Sequence, residues 1–192
     1  VTAPTVMWPR HSSVQPDELL LVHGAGTTVG EAAVRLALRR GVRVIATAGP
    51  TRAAALEEIG AQVTGYGDGM AERVAALAAG RVDRALDTAP TGGRIDRTDQ
   101  AGPAGGSLPT LTGLTGDPDR VLPVSDFAAA AELGTRITQI DLRYDLMDEF
   151  ARLAGEGVLA VSVARTHTLD QIQQAAELSR SRRPGGKLIL AL

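Results

Sequence analysis

The sequence contains no cysteine. That excludes disulfides and thiolate zinc sites, and it suits a reducing compartment, so a cytoplasmic location is the expectation. An excess of one charge is also missing. Twenty Lys and Arg stand against 22 Asp and Glu, for a formal net charge of −2. Such a balance offers no field for a nucleic acid or an anionic membrane surface. No apolar run reaches the roughly 18–20 residues of a membrane span, and no secretory signal pattern opens the chain. His11, His23 and His167 are scattered without metal-ligand spacing, and no metal site is expected. Neither a G-x-S-x-G elbow nor a P-loop lysine occurs. The first residue is Val, and a longer parent chain is the expectation.

What is present is an alternation of short apolar runs and helical periodicities. Residues 1–17 hold three prolines and no period, and read as an arm or linker. A run at 19–23 has the look of a buried parallel strand. From Thr28 the apolar residues Val29, Ala32, Ala33, Leu36 and Ala37 recur at helical spacing, and Gly41 ends the helix. Strands at 42–46, 62–66 and 82–87 alternate with helices at 51–59 and 70–79. Short loops join them, which predicts a parallel sheet covered on both faces. The glycine- and proline-rich segment 90–106 leaves little room for a helix. Further strands are expected at 108–114, 136–140, 158–163 and 187–192, and helices at 127–133, 144–154 and 169–179. The strand at 158–163 is expected outside the main sheet. The fold class is therefore α/β, a Rossmann-type doubly wound parallel sheet of about six strands spanning 18–192.

The turn after the first strand carries Gly24, Gly26 and Gly30, spaced G-x-G-x-x-x-G. A strand that enters such a turn and then a helix builds an anion site. The helix offers free N–H groups and the positive end of its dipole, and glycines admit a guest close to the backbone. A pyrophosphate is the natural guest. The usual dinucleotide fingerprint is one residue shorter, and a turn with no ligand stays open as a reading. At the end of the second strand, where an acidic residue takes the ribose of NAD, the chain has Thr47 and no carboxylate. Thr51 and Arg52 follow. A cation and hydroxyls at that point favour a 2′-phosphate, hence NADP(H); a solvated Arg52 is the alternative.

With these residues in place, the chain resembles the medium-chain dehydrogenase/reductase superfamily, nearest its zinc-independent quinone oxidoreductase branch. LLLVHGAGTTVGEAAVRLALRRGVRVIATA is similar to that branch's phosphate loop and second strand. LEEIGAQVTGYGDG, VDRALDTA, GDPDRVLPVSDFAAAAELGTRIT and the closing HTLDQIQQAAELSRSRRPGGKLILAL resemble its later segments. The resemblance implies a Rossmann domain that binds NADPH and passes hydride to a quinone or enone. It places Gly24, Gly26, Thr27, Thr28, Val29 and Gly30 at the pyrophosphate. Thr47, Arg52 and Tyr66 fall around the 2′-phosphate, and Asp87, Thr88 and Ala89 on the nicotinamide side. Tyr66 reads equally as a capping aromatic, and Asp87 as a carboxylate satisfying loop N–H groups rather than a base. No catalytic residue is assigned.

Three departures stand out. Thr27 and Thr28 replace the branch's two glycines, the helix between the fourth and fifth strands is replaced by 90–106, and the β-rich catalytic domain that precedes the loop in the family is missing. The last leads to the expectation that the chain is not catalytically complete alone. The alternatives are a non-catalytic NADP-binding or dimerising module, and the enoyl-reductase segment of a multidomain synthase. In the family the RITQI strand at 136–140 pairs with its copy, so a homodimer is expected there.

Overall fold

Strand β1, Leu19–His23, is buried along its whole length. Its neighbours explain why an uninterrupted apolar run was needed. It pairs in parallel with β2, Arg43–Thr47, on one side and with β4, Arg84–Asp87, on the other. Alternate side chains then point to opposite faces, and both faces are covered. Leu20 and Val22 join Val44 and Ala46 in one core, under helix α1, Thr28–Arg39, and under Leu56 of helix α2, Pro50–Glu58. Leu19, Leu21 and Ile45 enter the opposite core with Met70 and Val74 of helix α3, Met70–Ala78. Burying each such Leu or Ile side chain is worth about 1.5–3 kcal/mol, so this two-sided centre carries much of the fold's stability. The computed structural model describes residues 14–90, 106–137, 144–181 and 185–191.

The five-stranded parallel sheet has the order β3-β2-β1-β4-β5, with β3 at Gln62–Thr64 and β5 at Val121–Pro123. The expected doubly wound α/β class is the observed one, with five strands in this sheet where about six were expected. The chain moves outward from β1 to β3, then returns to β4 on the other side of β1. The switch point therefore lies between β1 and β4, where the carboxyl ends of parallel strands leave a crevice.

Three expectations need correction. Residues 108–114 form not a strand but helix α4, Leu108–Thr115, with a proline in its first turn and Gly116 at φ +70° as its cap. Leu108 and Leu111, three residues apart, lie on the buried face of this helix against α3 and β5. The helix between the fourth and fifth strands is thus present as α4, not replaced by 90–106. The fifth strand is β5, a three-residue element overlooked in the sequence because it is short and ends in proline. At 136–140, Arg136 and Ile137 are in no strand, while 138–140 lie outside the described residues. Arg136 N–H does donate to the Val121 carbonyl at 3.1 Å, so the chain runs alongside β5 as it leaves helix α5, Phe127–Leu133.

The C-terminal part follows helix α6, Met147–Gly155, and builds a separate two-stranded parallel sheet. Its strands are β6, Val163–Thr168, and β7, Lys187–Ala191, joined through helix α7, Ile172–Arg180. The strand expected at 158–163 lies outside the main sheet as foreseen, but begins only at Val163. At the other end of the chain, Val14 packs against the α1-side core and Pro16 lies 3.9 Å from the position of a Cβ on Gly41. The last residues of the expected arm therefore rest on the domain, and residues 1–13 lie outside the described part.

Candidate functional site

The glycine turn joins the three central strands at their carboxyl ends. Gly24 N–H donates to Thr47 Oγ1 at 3.1 Å, and Ala25 N–H donates to the Thr47 carbonyl at 2.9 Å. On the other side Thr88 N–H donates to the His23 carbonyl at 2.9 Å, and Thr88 Oγ1 donates to the Gly24 carbonyl at 2.9 Å. Gly24 has φ +76°, and a Cβ there would stand 2.6 Å from Ala89 N. A Cβ on Gly30 would stand 2.6 Å from both the Gly24 carbonyl and Thr88 Oγ1. Both glycines are thus required by close backbone approach, and they bring Gly24, Gly30, Thr88 and Ala89 together.

Thr27 turns into this wall. Its hydroxyl caps α1 by accepting from Gly30 N–H at 3.0 Å and donates to Thr88 Oγ1 at 3.0 Å. A threonine replaces glycine here without filling the mouth of the turn, because its side chain is spent on the cap. Thr28 and Val29 face outward, and Val29 is 49% exposed. Their N–H groups find no acceptor among the described residues. Two open amides at the positive end of a twelve-residue helix suit an anion.

Arg52, at the third position of α2, lies beside this mouth. Its Cγ is 3.3 Å from where a Cβ on Gly26 would be, so the absent side chain of Gly26 makes room for the arginine stem. Its guanidinium is engaged rather than solvated. Nη2 donates to Glu31 Oε2, while Nη1 reaches Ser162 Oγ at 3.4 Å and the Gly185 carbonyl at 3.3 Å. Glu31 is 7% exposed, and its other oxygen accepts from Arg35 Nε and Nη2 at 3.1 and 2.9 Å. Glu31 was missed in the sequence, though a carboxylate four residues before an arginine in a first helical turn is a readable pairing signal. Tyr66 is 62% exposed, with its hydroxyl oxygen 3.2 Å from where a Cβ on Gly49 would be. The ring therefore lies against the β2–α2 turn, on the Arg52 side of the mouth.

Thr47 is placed differently from its expected position. It is fully buried, and its hydroxyl lies 2.7 Å from His23 Nδ1 while accepting from Gly24 N–H. Thr47 holds the turn from beneath and does not present a hydroxyl to a 2′-phosphate. Burial pushes the His23 imidazole below its ordinary range, and the charge of Asp87 opposes that shift. Asp87 itself accepts from Ala89 N–H at 3.0 Å and from the Ser107 hydroxyl. Its carboxylate is thus satisfied by a loop, which fits the structural reading given to it from the sequence. Among the described residues no group of three or more His, Cys, Asp or Glu could hold a metal ion, so no ligand set for zinc is found there.

A search of curated protein sequences finds no match. Solved structures share the fold. One is an NAD-dependent alcohol dehydrogenase (24% identity, TM-score 0.69, covering 93% of this chain and 52% of that one). Others are the quinone oxidoreductases of Pseudomonas syringae pv. Tomato DC3000 (22%, 0.64, 95% and 59%) and of Coxiella burnetii (21%, 0.62, 93% and 54%). The chain spans a little over half the length of these proteins. Residues 59–190, more than half of the chain, match the family described as zinc-binding dehydrogenase. The doubly wound sheet, the glycine turn at its switch point and this match together show that the chain belongs to the zinc-binding dehydrogenase family, within the medium-chain dehydrogenase/reductase superfamily.

Proposed function

We propose that this chain is the NADP(H)-binding part of a quinone-reductase-like oxidoreductase whose small-molecule substrate is a quinone or an enone. The observation that carries the reading is the pair of open amides at Thr28 and Val29, flanked by Arg52 and seated at the switch point of the sheet. The residues present fit the coenzyme. Gly26, Thr28 and Val29 would hold its pyrophosphate, with Gly24 and Gly30 giving the close backbone approach of the turn and Thr27 capping the helix from behind. Arg52 would take the 2′-phosphate, Tyr66 would border the adenosine, and Asp87, Thr88 and Ala89 would frame the nicotinamide side.

When bound, the nicotinamide coenzyme supplies the hydride. The chain's own residues bind and orient. The open α1 amides would stabilise the charge of a pyrophosphate, and the Thr27–Thr88 hydrogen bond keeps the two loops of the crevice at one spacing. Asp87 does not stand free as an acid or base, since its carboxylate accepts from Ala89 N–H and the Ser107 hydroxyl. The protein's share is accordingly position and electrostatics, and turnover of a simple quinone by this chain alone is not expected. Fluorescence titration with NADPH and with NADH tests the reading: enhancement with NADPH at lower concentration supports it, and no response to either overturns it.

A cytoplasmic, homodimeric protein remains part of this proposal. The run of Arg136 alongside β5 supports pairing of two copies near 136–140, since it carries the chain to the outer edge of the sheet. Light scattering after size exclusion should give twice the chain mass of 19.9 kDa; a clean monomer refutes the pairing.

A further inference from the structure

We infer that Glu31 is a positioning residue that holds Arg52 in place to read the coenzyme's 2′-phosphate. The inference rests on the coenzyme reading above and goes further, by assigning specificity to a carboxylate that itself touches no ligand. Arg52 is a fork with unequal tines. Nη2 is fixed on one oxygen of the buried carboxylate of Glu31, while the other oxygen accepts from Arg35 Nε and Nη2. Among the described residues Nη1 is held by two neutral oxygens at long distance, Ser162 Oγ at 3.4 Å and the Gly185 carbonyl at 3.3 Å. A phosphate oxygen offers Nη1 a charge-assisted bond about twice as strong as those, while the Glu31 contact stays intact. The stem lying over Gly26 leaves little freedom to lose when the ligand arrives.

A bare carboxylate beside an anion site would otherwise be a liability. Here two arginines share it, so the Arg35–Glu31–Arg52 group keeps a net positive charge. Replacing Glu31 changes the local charge felt by the pyrophosphate equally for NADPH and NADH. The ratio of the two affinities cancels that effect, and the lost negative charge beside the 2′-phosphate by itself favours NADPH, so a fall in the ratio reports the freed Arg52.

The test is fluorescence titration of the chain and its variants with NADPH and with NADH. Wild type is expected to prefer NADPH. Glu31→Ala is expected to lower that preference by about fivefold, the loss falling on NADPH. Arg35→Ala, which breaks the other half of the group on the same helix, should keep the preference within about twofold. In an Arg52→Ala background, Glu31→Gln should change the preference no further, which decides the matter if Glu31→Ala does not fold. An unchanged or raised preference in Glu31→Ala, or an added loss from Glu31→Gln in the Arg52→Ala background, overturns the inference alone. Binding of neither dinucleotide by wild type removes the coenzyme reading and this inference with it.

Discussion

The hydroxyl of Thr27 donates to the hydroxyl of Thr88 across 3.0 Å, which ties the cap of the first helix to the residue that follows the fourth strand. The same Thr27 oxygen accepts the N–H of Gly30. Thr27→Ala loses the cap and the tie together and is expected to cost about 1–2 kcal/mol in urea denaturation. Thr27→Ser keeps the oxygen and should recover most of the loss. Equal stability of Thr27→Ala and wild type would show the cap to be idle.

Gly24 and Gly60 both have positive φ, +76° and +101°, yet their surroundings differ. A Cβ at Gly60 meets nothing within 4 Å, while one at Gly24 meets Ala89 N at 2.6 Å. Gly60→Ala should cost about 1–2 kcal/mol from backbone strain alone. Gly24→Ala adds a backbone collision and should cost at least about 3 kcal/mol or abolish folding. Thermal unfolding of the two variants side by side gives the comparison.

His23 makes stability depend on pH. Its folded pKa lies below the ordinary value of 6.5, chiefly through burial, so between the two values the unfolded chain binds more protons than the folded one. The sign follows directly. The contribution is whole above the unfolded value and is lost as pH falls from about 6.5 toward the folded pKa. Urea midpoints between pH 7.5 and 5 should fall with acidification, and His23→Gln should flatten the part of the slope that belongs to this residue.

Arg52→Ala removes the cation beside Gly26. Affinity for NADPH should fall by roughly tenfold, about 1.4 kcal/mol, with NADH nearly unchanged. An equal loss for both coenzymes would show that the residue serves the fold and not the phosphate.

Much of this was legible in the chain. The first and second strands and the helix between them could be read because burial on both faces demands unbroken apolar runs, and because apolar residues at helical spacing and Gly41 mark the helix. The glycine turn was legible for the same reason: only a missing Cβ tolerates Ala89 N at that distance. Residues 108–114 misled because proline, glycine and threonine mask a helical face that rests on Leu108 and Leu111. Thr47 misled in another way. Its place at the strand end was right, but the direction of its hydroxyl depends on His23 and Gly24, which no local pattern announces. The pairing of Glu31 with Arg52 joins residues 21 apart in the chain, and it became visible only once α1 and α2 lay side by side.

The place of β1 between β2 and β4 also governs how the domain can assemble. Leu19 N–H is held by the carboxylate of Asp83, 64 residues later. Within this domain the central strand emerges before both neighbours, and its surroundings are completed by β4 only after α1, β2, α2, β3 and α3 have emerged. Closing so long a loop is entropically slow. Until β4 docks, LLLVH keeps one backbone edge and part of both apolar faces without partners, so this pentapeptide needs shelter during synthesis.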